Sequence, residues 1–130
     1  MTRAFAPQNP ALFDQGLSTR REVLGAEYVD ASIKNATDFN IDMQEMVTQY
    51  CWGDVWNRQG LDRKTRSCIT LAILTALRAE NELPMHVRAA KRNGLTDEEI
   101  LEVLIHTAVY AGVPAANSAV AIANQTLSEG

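Results

Sequence analysis

The segment GLTDEEILEVLIHTAVYAGVPAANSAVAIANQTL, residues 94–127, predicts two consecutive helices. Thr96 and Glu99 have the spacing of a capping box, in which two side chains satisfy N–H groups that lack partners at a helix start. Gly112 interrupts the helical pattern. Pro114 follows at the first position of the next helix, where the missing N–H has no consequence. We therefore expect helices over residues 97–110 and 114–127.

The rest of the chain carries similar boundary signals, and no segment alternates in the manner of a strand. The segment WGDVWNRQG, residues 52–60, fits either a short helix or a turn. The sequence therefore predicts an all-α protein, with a loose arm over residues 1–8 and one helical domain over residues 9–130. Further helices are expected from Asn9-Pro10 to Gly25, over 27–36, after a cap at Asp38, over 62–79 with a cap at Asp62, and from Asn81 to Asn93-Gly94.

Composition excludes several classes of protein. The 130 residues suffice for one core without disulfides or a structural metal, and the net charge of −4 comes without a basic stripe for nucleic acid. A run of about 18 apolar residues, which a membrane span needs, is absent, and the N-terminus lacks the apolar region of a secretory signal. Cys51 and Cys68 stand far apart, which favours reduced thiols and a cytoplasmic protein.

Two helices carry more apolar side chains than a surface helix needs. The helix over residues 62–79 is apolar around nearly its whole circumference, which is typical of a helix buried on all sides. The last helix has no charge before Glu129. We interpret this excess as a subunit interface, so that the protein would be oligomeric. The alternative is a central helix in a monomeric bundle.

The two histidines differ in their surroundings. His86 follows Glu82 by four residues, so both side chains share a helix face, and a carboxylate beside an imidazole favours the imidazolium. Such a pair can act as a general acid, although Glu–His pairs also occur on solvated helix faces. His106 lies near the boundary of an apolar face, where a structural role is expected. Two histidines without close Cys/His spacing predict no metal site.

Aromatic and cationic side chains cluster around residue 60. Trp52 and Trp56 are consistent with core or interface packing, or with the wall of a ligand pocket. Arg63, Lys64 and Arg66 open a helix against its dipole, so at least one of them should have a buried acidic partner or an anionic substrate. For Arg63 and Lys64 we expect solvated charges at a helix end. For Arg66 we weigh a solvated charge evenly against a functional one.

Three segments together resemble the carboxymuconolactone decarboxylase family. They are WGDVW, residues 52–56, LDRKTRSCITLAILTAL, residues 61–77, and ELPMHVRAAKRNGLTDEEILEVLIHTAVYAGVPAAN, residues 82–117, within a likeness that extends over about residues 12–127. The resemblance implies a helical bundle of the alkylhydroperoxidase D-like type, assembled as a homohexamer, a trimer of dimers. Thiol peroxidases of that superfamily have the pattern E-x11-C-x2-C-x3-H. Here Ser67, Ala79 and Glu82 precede His86 at those positions, which disfavours peroxidase activity.

The resemblance also implies an activity. This is the decarboxylation of 4-carboxymuconolactone, a lactone dicarboxylate, to the β-ketoadipate enol-lactone of protocatechuate degradation. No cofactor is expected, because the ring double bond and lactone carbonyl can accept the electron pair that a cofactor otherwise takes. Alternatives are a thiol-dependent peroxidase or reductase, a lactone isomerase, and a non-catalytic hexamer that binds an aromatic metabolite.

The chemistry suggests a role for each candidate residue. His86 would deliver the proton, and Glu82 would orient the imidazole and keep it protonated. A guanidinium matches a carboxylate with two parallel hydrogen bonds, so Arg66 is the first candidate for holding substrate and Arg58 the second. The remaining substrate-binding candidates are Trp52, Trp56 and Tyr110 as ring walls, and Asn117 as a donor to the developing oxyanion.

Overall fold

The computed structural model describes residues 3–130, and every regular element in that range is helical. The all-α prediction is thereby confirmed. The helices form two compact units, one ending at Gly60 and the other covering Leu61–Gly130. The predicted single domain over residues 9–130 stays a prediction. The α-helices are α1 (Pro10–Leu24), α2 (Ala26–Lys34), α3 (Ile41–Val47), α4 (Arg63–Ala76), α5 (Leu83–Arg92), α6 (Asp97–Ala111) and α7 (Val113–Ser128).

Most helix boundaries lie where the sequence predicts them. Both bonds of the capping box form: the Glu99 N–H donates to Thr96 Oγ1 at 3.1 Å, and the Thr96 N–H donates to Glu99 Oε1 at 2.9 Å. The Asp62 carboxylate caps α4 by accepting the Thr65 N–H at 2.8 Å. Gly112 separates α6 from α7 with φ 116°, a conformation that strains residues with a Cβ.

Two predicted caps are wrong. Asn40, not Asp38, precedes α3, and the Asp38 carboxylate instead accepts the backbone N–H of Arg3 at 2.6 Å. Asn81 lies inside the 3₁₀ turn Glu80–Glu82, so the N-cap of α5 is Glu82, without a side-chain capping bond. In each case the polar residue takes part in a turn that precedes the helix, which the spacing alone does not reveal.

The ambiguous segment around Trp52 is a π-helix, Thr48–Asp54, followed by a 3₁₀ turn, Val55–Asn57. The π-helix packs closely against α1, because a Cβ on Gly16 would lie 1.9 Å from the Thr48 carbonyl oxygen. The buried guanidinium of Arg20, one turn further along α1, donates to Thr48 Oγ1 at 3.2 Å. Thr48 of the π-helix is therefore in close backbone contact with α1 and also accepts a buried hydrogen bond from it.

The N-terminal arm is not loose over the described residues 3–8. Arg3 forms ion pairs with Asp42 and with the buried Glu45, and the Ala6 N–H donates to Glu45 Oε2 at 2.5 Å. The rings of Phe5 and Phe13 also pack, with their centroids 5.6 Å apart. The sequence could not show this attachment, because the acidic partners lie some forty residues along the chain. Residues 1 and 2 of the predicted arm lie outside the described residues.

We expect Glu45→Gln to loosen this arm. Arg3 and Ala6 hold the pKa of Glu45 below its ordinary value, so the charged form is stabilised by folding. A group with a lowered folded pKa stabilises the protein above its unfolded pKa, and this contribution is lost as the pH falls. The free energy of unfolding at neutral pH should fall by about 1 kcal/mol, because the Arg3 partner is exposed. Chemical denaturation at pH values from 3 to 7 measures this change in the free energy of unfolding.

The matched control is Asp42→Asn, which removes an arm contact from a carboxylate that is 87% exposed. Its effect should be smaller, since an exposed ion pair contributes little. Equal stability of the wild type and Glu45→Gln across the pH range would contradict the attachment.

The second unit has its own core. Leu71 of α4, Leu83 of α5, Ile100 and Leu104 of α6 and Ala119 of α7 are fully buried in it. Ile73 of α4 is 50% exposed and Leu77, which follows the helix, is 73% exposed, so α4 is not the central helix of a monomeric bundle. The apolar excess of α4 therefore lies on the surface of the described chain. The interpretation of this apolar excess as a subunit interface stays a prediction.

Candidate active site

His86 lies in the first turns of α5, four residues after the N-cap Glu82. Its side chain is partly buried, and burial lowers the pKa of its imidazole to about 4. Burial disfavours the charged form because the ring loses hydration and gains no compensating charge. His86 is therefore neutral at pH 7 in this chain.

The predicted partnership of Glu82 with His86 does not form within the described residues. Glu82 is exposed at the start of α5, and desolvation is the cause of the lowered pKa of His86. In the chain without substrate, Glu82 does not keep the imidazole protonated, and its role beside a bound substrate stays a prediction. Four-residue spacing places two side chains on one helix face, but it does not force contact when one of them is the cap and points to solvent.

Arg66 occupies the first turn of α4, and its side chain is partly buried. The next residue, Ser67, is fully buried and accepts a hydrogen bond from the Asn93 side chain at the end of α5, at 2.9 Å. This contact ties the start of α4 to the end of the helix that carries His86. Of the other cations at this helix start, Lys64 pairs with Glu99 at 2.9 Å, which raises its pKa. Both side chains of this pair are partly exposed, so Glu99 is an acidic partner but not the buried one that was expected, and an anionic substrate at this helix start stays a prediction.

Trp52, Trp56 and Arg58 belong to the first unit. The two indole rings stack with centroids 5.0 Å apart and an interplanar angle of 24°, and Trp52 is buried. The Asn57 amide fixes the turn between them by donating to the Trp52 carbonyl oxygen at 2.9 Å. Arg58 is exposed and lies 4.0 Å from the Asp54 carboxylate. The structure thus brings the two tryptophans together as a packed pair.

Tyr110 and Asn117 lie on the surface of the second unit. Tyr110 is 82% exposed and packs on His106, with ring centroids 5.1 Å apart. His106 is itself exposed, and its expected structural role stays a prediction. Asn117 lines a groove of about 630 Å³ between α6 and α7, together with Leu101 and Asn124. Within residues 3–130, neither Tyr110 nor Asn117 forms a hydrogen bond, ion pair or ring contact with His86.

The sequence interpretation missed the backbone conformation of one cationic residue. Arg78 follows α4 with φ 54°, the only non-glycine residue of positive φ among those described. The signal was available: α4 ends without a glycine, although helices commonly end in a left-handed residue that glycine adopts most easily.

The described residues contain two free cysteines, Cys51 and Cys68, both partly buried. Burial raises the pKa of each thiol, which leaves little of the reactive thiolate at neutral pH. Within residues 3–130, no group of three or more His, Cys, Asp or Glu side chains is placed to hold a metal ion. Over the same residues, no helix is long and apolar enough to cross a membrane.

Comparisons of the sequence with known proteins identify its family. The model of the carboxymuconolactone decarboxylase family matches residues 42–125, more than half of the chain, so the chain belongs to this family. A 4-carboxymuconolactone decarboxylase from Acinetobacter baylyi is 45% identical over 117 residues, covering 90% of this chain and 87% of that protein. A nitrosuccinic acid decarboxylase from Metarhizium robertsii is 44% identical over 118 residues, covering 91% of this chain and 82% of that protein.

Proposed function

We propose that this protein is a carboxy-lyase that decarboxylates 4-carboxymuconolactone. The observation that carries the proposal is the 45% identity to a decarboxylase of that name over 90% of the chain. The matched family region, residues 42–125, includes every predicted site residue from Trp52 to Asn117. The raised thiol pKa values of Cys51 and Cys68 argue against the thiol-dependent alternative.

The proposed reaction exchanges one proton for one CO2. The bond between the ring carbon and its carboxylate breaks, and its electron pair moves through the ring double bond onto the lactone carbonyl oxygen. The resulting dienolate takes a proton at the carbon next to the carbonyl, which gives the enol-lactone. The substrate accepts its own electrons, so we propose that no cofactor takes part.

His86 is the proposed proton donor. Its imidazole is neutral in the free chain, and the negative charge of the bound substrate would stabilise the protonated form. A carboxylate 4 Å from an imidazolium at an effective dielectric constant of 20 contributes about 4 kcal/mol. That energy corresponds to about three powers of ten in the protonation equilibrium, enough to protonate a group of pKa about 4 near pH 7. His86 would thus take up a proton from solvent when the substrate binds. Glu82 would orient the imidazolium once it has formed.

Arg66 is proposed to hold one substrate carboxylate, since its partly buried guanidinium can form a fork of two hydrogen bonds. Asn117 is retained as the proposed donor to the dienolate oxygen, and Tyr110 as a wall of the lactone ring. Both are exposed in this chain, so these roles require that another surface cover them. Arg58, Trp52 and Trp56 remain proposed contacts to substrate.

We also propose that the protein is a homo-oligomer, with the hexamer of the family as the expected form. Large exposed apolar side chains on α4 and α6, among them Leu77 at 73% and Val109 at 76%, support this proposal. The cytoplasmic location and the place in protocatechuate degradation stay predictions. Sedimentation of the purified protein at several concentrations tests the assembly.

A second candidate reaction is the decarboxylation of nitrosuccinate, favoured by the 44% identity to a nitrosuccinic acid decarboxylase. A nitro group can take the electron pair of the breaking bond as a nitronate, which a proton then converts to the nitroalkane. Both substrates are dicarboxylates in which an electron-accepting group can take the electron pair of the breaking bond: the nitro group is bonded directly to the carbon that loses CO2, and the lactone carbonyl is linked to that carbon through the ring double bond. The same proton donor could therefore serve either reaction.

The deciding experiment offers both compounds to the purified protein. Freshly generated 4-carboxymuconolactone and nitrosuccinate are assayed separately for CO2 release and product absorbance, against the spontaneous rate. We expect rapid release from the lactone. Release from nitrosuccinate alone would favour the second candidate, and release from neither would overturn both in favour of the binding hexamer.

A further inference from the structure

Helices α4 and α6 enclose an apolar groove of about 570 Å³ on the surface of the second unit. Ile69 of α4 is 42% exposed on one side of this groove, and Ile105 and Val109 of α6 are 48% and 76% exposed on the other. Four-residue spacing places Ile105 and Val109 on one helix face. Large apolar side chains that lie together on a surface are typical of a contact with another protein.

The two helices that form the groove are held in place by contacts within the unit. Leu71 of α4 and Leu104 of α6 are both fully buried in the core of this unit. The starts of the two helices are joined by the ion pair between Lys64 and Glu99, at 2.9 Å. The groove is therefore formed before a partner binds, which keeps the cost of ordering it on binding small.

The polar groups of the groove have a simple pattern. Glu102 is the one carboxylate and His106 the one imidazole among the described residues that line it, and no Lys or Arg joins them. Both side chains are exposed and lie one turn apart on α6. The His106 ring packs on Tyr110, with centroids 5.1 Å apart. Within residues 3–130, the Glu102 carboxylate has no hydrogen-bond or ion-pair partner.

This pattern is complementary to itself. Rotation by half a turn about an axis between Glu102 and His106 places each carboxylate opposite the imidazole of a second copy, so that two pairs form. In a two-fold interface the same patch serves both subunits, so one acid and one donor on the patch suffice. An imidazole N–H can donate to a carboxylate in the neutral and in the charged form of the ring. A second copy of this chain therefore matches the groove in both its apolar and its polar groups.

We propose that the groove between α4 and α6 is a two-fold interface with a second copy of this chain, in which Glu102 of each subunit faces the partner's His106. The inference rests on the homo-oligomer of the proposed function and deepens it by naming the contact face. The apolar side chains of the groove become covered, and the two polar pairs fix the orientation of the subunits. The partner also covers Tyr110, whose proposed role beside the substrate needs a covering surface.

The test changes one member of the pair at a time. Glu102→Lys removes the carboxylate that faces the partner's His106, and His106→Glu places two carboxylates opposite each other. For each variant, sedimentation without substrate should show an assembly of half the wild-type mass or less, with a dissociation constant raised about tenfold or more. An equimolar mixture of the two variants should recover the wild-type assembly. In the mixed pair the new lysine faces the new glutamate, and the remaining carboxylate faces the remaining imidazole.

Matched controls make the same changes of charge outside the groove. Glu98→Lys and Gln125→Glu alter exposed residues that do not line it, and both should leave the assembly unchanged. His106→Gln keeps an N–H donor for the carboxylate and should associate as the wild type does. Far-UV circular dichroism verifies that each variant is folded, which is expected because both altered positions of the groove are exposed.

Recovery of the assembly in the mixture supports the inference, since only a second copy supplies the matching side chain. A mixture that stays dissociated, variants as large as the wild type, or a monomeric wild type would overturn it. If the wild type is oligomeric and the variants are unaffected, the assignment of this face is wrong while the homo-oligomer stands. Because the measurement needs no substrate, absence of decarboxylation would count against the proposed reaction alone.

Discussion

Replacing His86 by glutamine is expected to reduce the rate of CO2 release from 4-carboxymuconolactone by about 10²–10⁴-fold, the range that a positioned general acid contributes. Glutamine is close to the imidazole in size and can still form hydrogen bonds, but it cannot deliver a proton. The loss should appear mainly in kcat, because Arg66, which is proposed to hold a substrate carboxylate, is unchanged in this variant. Stopped-flow absorbance measurements on the purified variant give kcat and KM.

The pH dependence tests the protonation of His86 directly. The pKa of about 4 belongs to the free chain, and kcat/KM reports groups of the free enzyme. If the imidazolium is required, kcat/KM should fall about tenfold for each pH unit above about 4. In contrast, kcat reports the substrate complex, in which the substrate carboxylates raise the pKa of His86, and it should stay level to higher pH. A flat kcat/KM profile would contradict the assignment.

Stability provides the folding control for the same variant. A histidine whose folded pKa lies below its unfolded value binds fewer protons when folded, so stability is complete above about pH 6.5 and falls as the pH drops toward 4. The loss is roughly 3 kcal/mol at most and less for a partly exposed ring. His86→Gln should lack this dependence and remain folded at acid pH. His106→Gln, which changes the exposed histidine, should keep the wild-type profile.

The sequence predicted those parts of the fold that depend on local chemistry. The capping box at Thr96, the Asp62 cap and the break at Gly112 each depend on a few neighbouring residues, and all three appear in the structure. The all-α class followed from the same signals. Local patterns are readable because a cap satisfies N–H groups within the next turn, independently of the remainder of the protein.

What the sequence did not predict depends on contacts between distant segments. The π-helix has the same residue types as an α-helix, and only its hydrogen-bond register differs. The attachment of Arg3 to Glu45 joins residues that no local pattern relates. The neutral state of His86 arises from burial, whereas the spacing to Glu82 suggested a charge. The residues of the candidate site stay a prediction, and the protonation of His86 required coordinates.

Gly16→Ala is expected to cause the largest loss of stability of any single methyl group added to the first unit. The new Cβ would lie 1.9 Å from the Thr48 carbonyl oxygen, 2.9 Å from its carbonyl carbon and 2.8 Å from the Gly53 nitrogen. All three are backbone atoms, so no rotamer change can relieve the overlap, and α1 must move away from the π-helix. We expect a loss of about 3 kcal/mol or more in the free energy of unfolding, the upper range for overpacking.

The damage should extend beyond the clash itself, because Arg20 holds the same π-helix residue. Displacing Thr48 would lengthen the 3.2 Å bond from Arg20 and leave a buried guanidinium with fewer acceptors. The π-helix also carries Trp52, which is only 5% exposed, so the variant should show red-shifted tryptophan fluorescence and weaker exciton coupling between the stacked indoles in circular dichroism.

Gly60→Ala is the matched control for Gly16→Ala, since a Cβ at Gly60 would meet nothing within 4 Å and the residue has no positive φ. Added to an open position, the methyl group reduces the freedom of the unfolded chain and should leave stability unchanged or slightly raised. Alanine normally favours an α-helix over glycine, so propensity alone predicts that Gly16→Ala stabilises α1. A Gly16→Ala variant as stable as Gly60→Ala would therefore mean that α1 and the π-helix do not approach this closely. A large loss confined to position 16 would show that backbone contact outweighs helix propensity there.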